Sequence, residues 1–127
     1  MEVFFFLIPR LALISLPVLQ RLPRKGTFPF KGLHHATAWG LGATARPRPG
    51  EVVLDPMAGS GIVILETATF WPESFFVGVD IDPEQVAMAR ANADAVGSGS
   101  CCSLLLGDAQ RLPMTSGSAD VALCDLP

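Results

Sequence analysis

Asp55-Pro56-Met57-Ala58-Gly59-Ser60-Gly61 constrains this chain more than any other stretch. An apolar run, Val52-Val53-Leu54, precedes it, and a second, Ile62 to Leu65, follows. Two apolar runs split by a Gly-x-Gly turn read as a buried strand, a tight turn and a helix start. Such a turn lets a ligand approach the backbone and the unpaired N–H groups of the helix N-terminus. The acid at the strand end narrows that ligand to a nucleoside with a small charged tail. The same residues also fit an ordinary strand-to-helix turn in which the glycines only permit tight packing.

The downstream pattern extends this reading. A second strand, Phe75 to Val79, ends in Asp80, nineteen positions after Gly61. In doubly wound α/β folds an acid there accepts hydrogen bonds from ribose hydroxyls; the alternative is a surface turn acid. Asp82 is placed to cap the next helix, Pro83 suits its first position, and Gln85 stands where a capping box puts its partner. Val86, Ala89, Ala93 and Val96 recur on one face of that helix, and Gly97 closes it. A third strand, about Cys102 to Leu106, ends in Gly107-Asp108-Ala109. There Asp108 can meet an exocyclic amine of adenine and Ala109 can pack on the ring, or Asp108 can cap a further helix. A fourth strand is expected over Ala119 to Cys124, followed by Asp125-Leu126-Pro127. In a parallel sheet Asp55, Asp80, Asp108 and Asp125 all fall on one carboxyl edge, where open α/β sheets bind ligands.

These residues resemble a family. The order D-P-M-A-G-S-G, G-V-D-I-D, G-D-A and C-D-L-P is similar to the motif series of class I S-adenosylmethionine-dependent methyltransferases. More narrowly it resembles the THUMP-domain RNA methyltransferases that form N2-methylguanosine in tRNA. The segment Leu33 to Leu41 resembles the helix that precedes the first motif in that group, and the resemblance spans roughly Gly32 to Pro127. It implies a Rossmann-like α/β fold, strand order 3-2-1-4, with helices before the first strand and between strands. It also implies S-adenosylmethionine as cofactor, held by Asp55, Met57, Gly59, Ser60, Gly61, Asp80, Ile81, Asp108 and Ala109. Asp125 and Pro127 are the implied catalytic positions, tRNA is the implied partner, and an activating protein subunit is a further candidate.

Methyl transfer to an exocyclic amine is an in-line displacement that needs alignment and the exclusion of water. The amine is a poor nucleophile, so an acceptor at Asp125 and the Leu126 carbonyl can hold its hydrogens as the bond forms. Asp125 can alternatively serve only to position cofactor. A nicotinamide cofactor would favour G-x-G-x-x-G, which the spacing of Gly59 and Gly61 does not match. A covalent cytosine mechanism needs a nucleophilic cysteine, and Cys124 falls in the expected fourth strand as a small buried hydrophobe.

The sequence departs from the family pattern in several places. Ala58 stands where cysteine is commoner, and His34-His35 replaces a basic residue followed by a small residue or proline. The fourth motif stops at Pro127 before its aromatic residue, and residues 1–31 hold no counterpart of a THUMP domain. Residues 1–31 are therefore expected to form an apolar and basic lead-in, and residues 32–127 the N-terminal part of a methyltransferase domain. The alternative function is a truncated, catalytically inactive isoform that at most binds cofactor or a partner protein.

Composition bounds the rest. The chain has 127 residues, 50% hydrophobic, which suits one domain with its own core. Met1 to Leu19 is mostly apolar, but Pro9, Arg10 and Pro17 interrupt it, so no run reaches the roughly 18–20 residues of a spanning helix. It also lacks the basic start of a signal peptide. Net charge is −3, yet residues 1–50 hold seven of the nine basic residues and residues 51–127 eleven of the twelve acids. The basic half can touch RNA phosphates or act as a solvated linker. Cys101, Cys102 and Cys124 show no C-x-x-C pairing, which argues against zinc and a disulfide framework and fits a reducing compartment, cytoplasmic or nuclear. His34 and His35 have no spaced metal-ligand partners and are expected in cap or surface duty, with Trp39 and Trp71 packed at helix ends.

Overall fold

The alternation of apolar runs and amphipathic stretches becomes an alternation of strands and helices. The computed structural model describes residues 27–125. In chain order the elements are α1 (His35–Ala45), β1 (Val52–Asp55), α2 (Ile62–Phe70), β2 (Phe75–Asp80), α3 (Pro83–Val96), β3 (Cys102–Leu106) and β4 (Val121–Ala122). Expectations that fall on residues 1–26, on Leu126 and on Pro127 lie outside the described residues.

The four strands form one parallel sheet in the order β3-β2-β1-β4, as the motif series implied. β1 pairs with β2 from Val52↔Phe75 to Asp55↔Gly78, and β2 with β3 from Phe76↔Cys102 to Asp80↔Leu106. Because all pairs are parallel, the carboxyl ends of the strands share one edge. Central parallel strands are covered on both faces and so read as continuous apolar runs. Val53 and Phe76 accordingly have at most 1% of their surface exposed. Ile64 and Leu65 of α2 join them in the core, and burying each such side chain contributes about 1.5–3 kcal/mol. α2 is buried from Ile62 to Ala68 because it contacts the sheet, α3 and α1 together.

Local chemistry sets the ends of α3. The Asp82 carboxylate accepts from the Glu84 N–H, Pro83 opens the helix, and Gly97 closes it in the left-handed region. Gln85 is not a capping-box partner, because the Asp82 N–H is taken by Asp80 Oδ1 at 3.0 Å. His34 caps α1 through Nδ1, which accepts from the Ala36 N–H. Trp71 caps the end of α2. Trp39 departs from expectation: it lies within α1 and meets Phe70 edge to face.

Two further expectations fail between β3 and β4. No helix joins them; residues 107–120 run through turns. Pro113, Gly107 and Gly117 disfavour helix there, and Asp108 caps a turn, its Oδ1 accepting from the Gln110 N–H at 2.8 Å. The fourth strand is also shorter than Ala119 to Cys124. It pairs only with the four-residue β1, at Val53↔Val121 and Leu54↔Ala122. The Leu123 N–H makes the last bond to this neighbour, on the Leu54 carbonyl. Cys124 therefore sits past the strand, half-buried, instead of inside it. Among the described residues no helix is long and apolar enough to cross a membrane.

Candidate functional site

The buried run of β1 carries Asp55 to the carboxyl edge with only 1% of its surface exposed. Its Oδ1 accepts from the Met57 N–H at 3.1 Å, which folds Pro56 and Met57 into a turn. Burial pushes the carboxyl from an ordinary 3.8 up to about 6, against the Met57 N–H, which draws it down. The carboxylates of Asp125 and Asp80 add to the rise, and the adjoining Cys124 thiol opposes it. The same burial, with Asp55 beside it, pushes the Cys124 thiol up, away from nucleophilic thiolate.

The chain then passes through Gly59 (φ 53°) and Gly61 (φ 80°), both in the left-handed region that glycine adopts without strain. Gly61 is the N-cap of α2 and brings no side chain to it. The first N–H groups of α2 therefore stay available at the positive end of the helix dipole. Asp80, at the end of β2, fixes this loop: its Oδ2 accepts from the Gly59 N–H at 2.7 Å. Ile81 beside it is 70% exposed.

A cleft of about 240 Å³ gathers part of the expected set. Asp55, Met57, Gly59, Ser60 and the exposed Asp125 line it. Asp80, Ile81 and Gly61 are not among its lining residues: Asp80 is tied to the lining through the Gly59 N–H, Ile81 follows it past the end of β2, and Gly61 packs against α3, where a Cβ would lie 3.1 Å from that of Ala89. Asp108 and Ala109 are exposed farther along the same edge, past β3. Pro127 lies outside the described residues. Among the described residues no three histidines, cysteines or acids gather as a metal site.

Sequence reasoning missed the other wall, formed by Lys31, Gly32, Leu33 and Gln85. Residues 28–32 are drawn there by Asn92, a fully buried side chain of α3. Its Oδ1 accepts from the Phe30 N–H at 2.9 Å, and its Nδ2 donates to the carbonyls of Phe30 at 3.0 Å and Ser60 at 2.8 Å. The Ser60 hydroxyl adds a bond to the Lys31 carbonyl. A polar amide next to Ala93 on an apolar helix face was the available signal. A similar sign marked Glu66, a charge inside the apolar α2. It is buried and meets His35 Nδ1 at 3.2 Å, while the His35 ring stacks on Phe28 at 5.5 Å.

A parallel sheet with a glycine turn after its first strand and acids along its carboxyl edge defines a Rossmann-like fold of the methyltransferase type. The crystal structure of TrmN from Thermus thermophilus superposes with a TM-score of 0.65 at 36% identity, covering 73% of this chain and 28% of that one. A family model described as RMKL-like, methyltransferase domain (UPF0020) matches residues 29–127, and the chain belongs to that family. It is 33% identical over its whole length to the Bos taurus U6 snRNA (guanine-N(2))-methyltransferase THUMPD2, of which it covers 26%. It is 35% identical over 113 residues to the Thermus thermophilus tRNA (guanine(6)-N2)-methyltransferase, covering 87% of this chain and 32% of that protein. The chain thus spans about a quarter to a third of the curated relatives it matches.

Proposed function

We propose that the cleft binds S-adenosylmethionine and that the chain is the cofactor-binding part of an RNA guanine-N2 methyltransferase. The observation that carries this is the cleft at the end of β1, where the buried Asp55 faces the same space as Gly59, Ser60 and the exposed Asp125. The residues suit such a ligand chemically. A carboxylate is available for an ammonium group, and the uncapped N-terminus of α2 for a carboxylate. A side chain on Gly59 would meet only Gln85, at 3.7 Å, so the loop leaves open space where a ligand approaches.

When bound, the cofactor supplies a methyl group on a positively charged sulfur. The protein's task is to orient and to accept protons. Asp80 keeps lone pairs for ribose hydroxyls beside those it gives to Gly59 and Asp82. Ile81 would cover the base of the bound cofactor, and Asp108 and Ala109 would meet its amine edge and ring. Asp125 would accept a hydrogen bond from the guanine amine and so orient its lone pair for transfer. The domain in this reading begins near Phe28, which joins the core. RNA is the substrate, met in cytoplasm or nucleus, with an activating protein subunit as a further partner.

Whether the RNA is U6 snRNA or tRNA separates two versions of this function. The fuller coverage of this chain by the U6-modifying relatives favours the former over the tRNA expected from the motifs alone. Calorimetric titration with S-adenosylhomocysteine, followed by methyl-transfer assays on U6 and tRNA transcripts, tests the proposal. Binding with transfer to either RNA supports it, and binding without transfer supports the inactive-isoform reading. Absence of binding by a cooperatively folded chain overturns the cofactor assignment.

A further inference from the structure

A second recess, of about 210 Å³, opens beside the cleft and shares Lys31, Gly32, Leu33 and Ile62 with it. Its remaining lining is aromatic or imidazole: Phe28, Phe30, His34 and His35. No carboxylate lines it, although the chain holds twelve acids and only nine basic residues. Below the roughly 300–1,000 Å³ of drug-sized pockets, it suits a single planar ring system.

Phe30 is the residue that needs an explanation. Its side chain is 38% exposed, yet its backbone is pinned at both N–H and C=O by the buried Asn92. An exposed phenyl on a fixed backbone is a platform, since little entropy is lost when a flat ligand settles on it. Around it, the His34 Nδ1 accepts from the Ala36 N–H, which puts the proton of the neutral ring on Nε2 as a free donor. The His35 ring is held by the buried Glu66 and by stacking on Phe28. Lys31 supplies the cation. An aromatic platform, an imidazole donor from His34 and an ammonium without a lining carboxylate match an unpaired nucleotide: base on the ring, phosphate at the cation.

We propose that this recess binds one unpaired nucleotide of the RNA, its base on Phe30 and its phosphate at Lys31. The inference rests on the methyltransferase reading for its ligand. The occupant is a neighbour of the methylated guanosine, because the recess has no acid to hold a reacting amine, whereas the adjoining cleft has Asp125. The shared wall at Lys31 to Leu33 places the two nucleotides side by side. Stacking of this kind is tolerant of base identity, so the recess adds affinity and register while leaving target choice elsewhere.

The test uses the full chain, a short unstructured oligouridylate with a fluorescent label, and S-adenosylhomocysteine. Phe30→Ala should weaken oligouridylate binding by about tenfold or more, the loss of one stacked base, and Phe30→Leu by less than Phe30→Ala. S-adenosylhomocysteine affinity should stay unchanged in both variants. Lys31→Gln should lower the slope of log affinity against log salt by about 0.7, one phosphate's share. Thiouridine crosslinks should map to the peptide holding Phe30. Unchanged oligouridylate affinity in Phe30→Ala overturns the proposal, as does a wild-type chain that binds S-adenosylhomocysteine but no RNA. Protection of Phe30 by residues 1–26 in place of RNA also overturns it. A chain that binds oligouridylate through Phe30 but not S-adenosylhomocysteine would keep the recess and sink the cofactor reading.

Discussion

Replacing Asp55 with asparagine should stabilise the free protein and weaken its hold on cofactor. The carboxyl rises from an ordinary 3.8 to about 6 on folding because it is buried. Between those values the folded state binds the proton more tightly than the unfolded state, so stability falls as pH rises through this window and is level above it. At about 1.4 kcal/mol per pH unit, the charged Asp55 costs the native state about 3 kcal/mol at neutral pH. With 1% exposure, solvent screening does little to reduce that. The introduced amide would keep an oxygen for the Met57 N–H, now bonded at 3.1 Å, and turn its N–H donors toward the Asp125 carboxylate. Urea unfolding followed by the fluorescence of Trp39 and Trp71 measures the effect. Asp55→Asn should gain about 2–3 kcal/mol more over wild type at about pH 8 than at about pH 4. Its affinity for S-adenosylhomocysteine should drop at the same time. An equal stability change at both pH values, or a loss that grows with pH, would refute the account of a desolvated carboxylate held for a cation.

The remaining predictions are more local. In the unmodified chain S-adenosylhomocysteine affinity should fall as pH drops through about 6, because protonated Asp55 offers no charge to an ammonium group; a calorimetric series flat across that range removes Asp55 from the contact. Gly78→Ala should cost about 1–3 kcal/mol by thermal unfolding, since its Cβ would lie 2.7 Å from Ile64 Cδ1, 2.9 Å from Leu104 Cδ2 and 3.0 Å from Ala58 Cβ. Asn92→Ala should cost about 1–3 kcal/mol by stranding the buried Ser60 carbonyl and releasing the part-buried N–H and C=O of Phe30, and amide exchange at Phe30 should accelerate.

What the sequence made legible was what neighbours in sequence determine. Asp55 and Asp80 could be placed because each ends a buried apolar run, and α3 because Asp82, Pro83 and Gly97 are local stop and start signals. The misses depend on distant partners. The length of β4 is set by β1, 68 positions earlier at the Val53↔Val121 pair. The fate of Gln85 was decided by Asp80, which took the N–H a capping box would have used. The wall at Lys31 to Leu33 exists because Asn92, 62 positions from Phe30, reaches back across α3. No window of local sequence contains those choices.

The short ladder of β4 has a kinetic consequence. Parts of a protein open separately, and the elements with fewest buried contacts open first. β4 meets the sheet at two residue pairs, bracketed by Asp120 and Leu123 bonds to β1, whereas β2 and β3 share five. It is thus the first strand to peel away, taking Cys124 and Asp125 with it while Asp55, Gly59 and Asp80 stay fixed. A ligand that spans Asp55 and Asp125 would draw on this difference: the fixed half captures it, and closing the loose half slows its release.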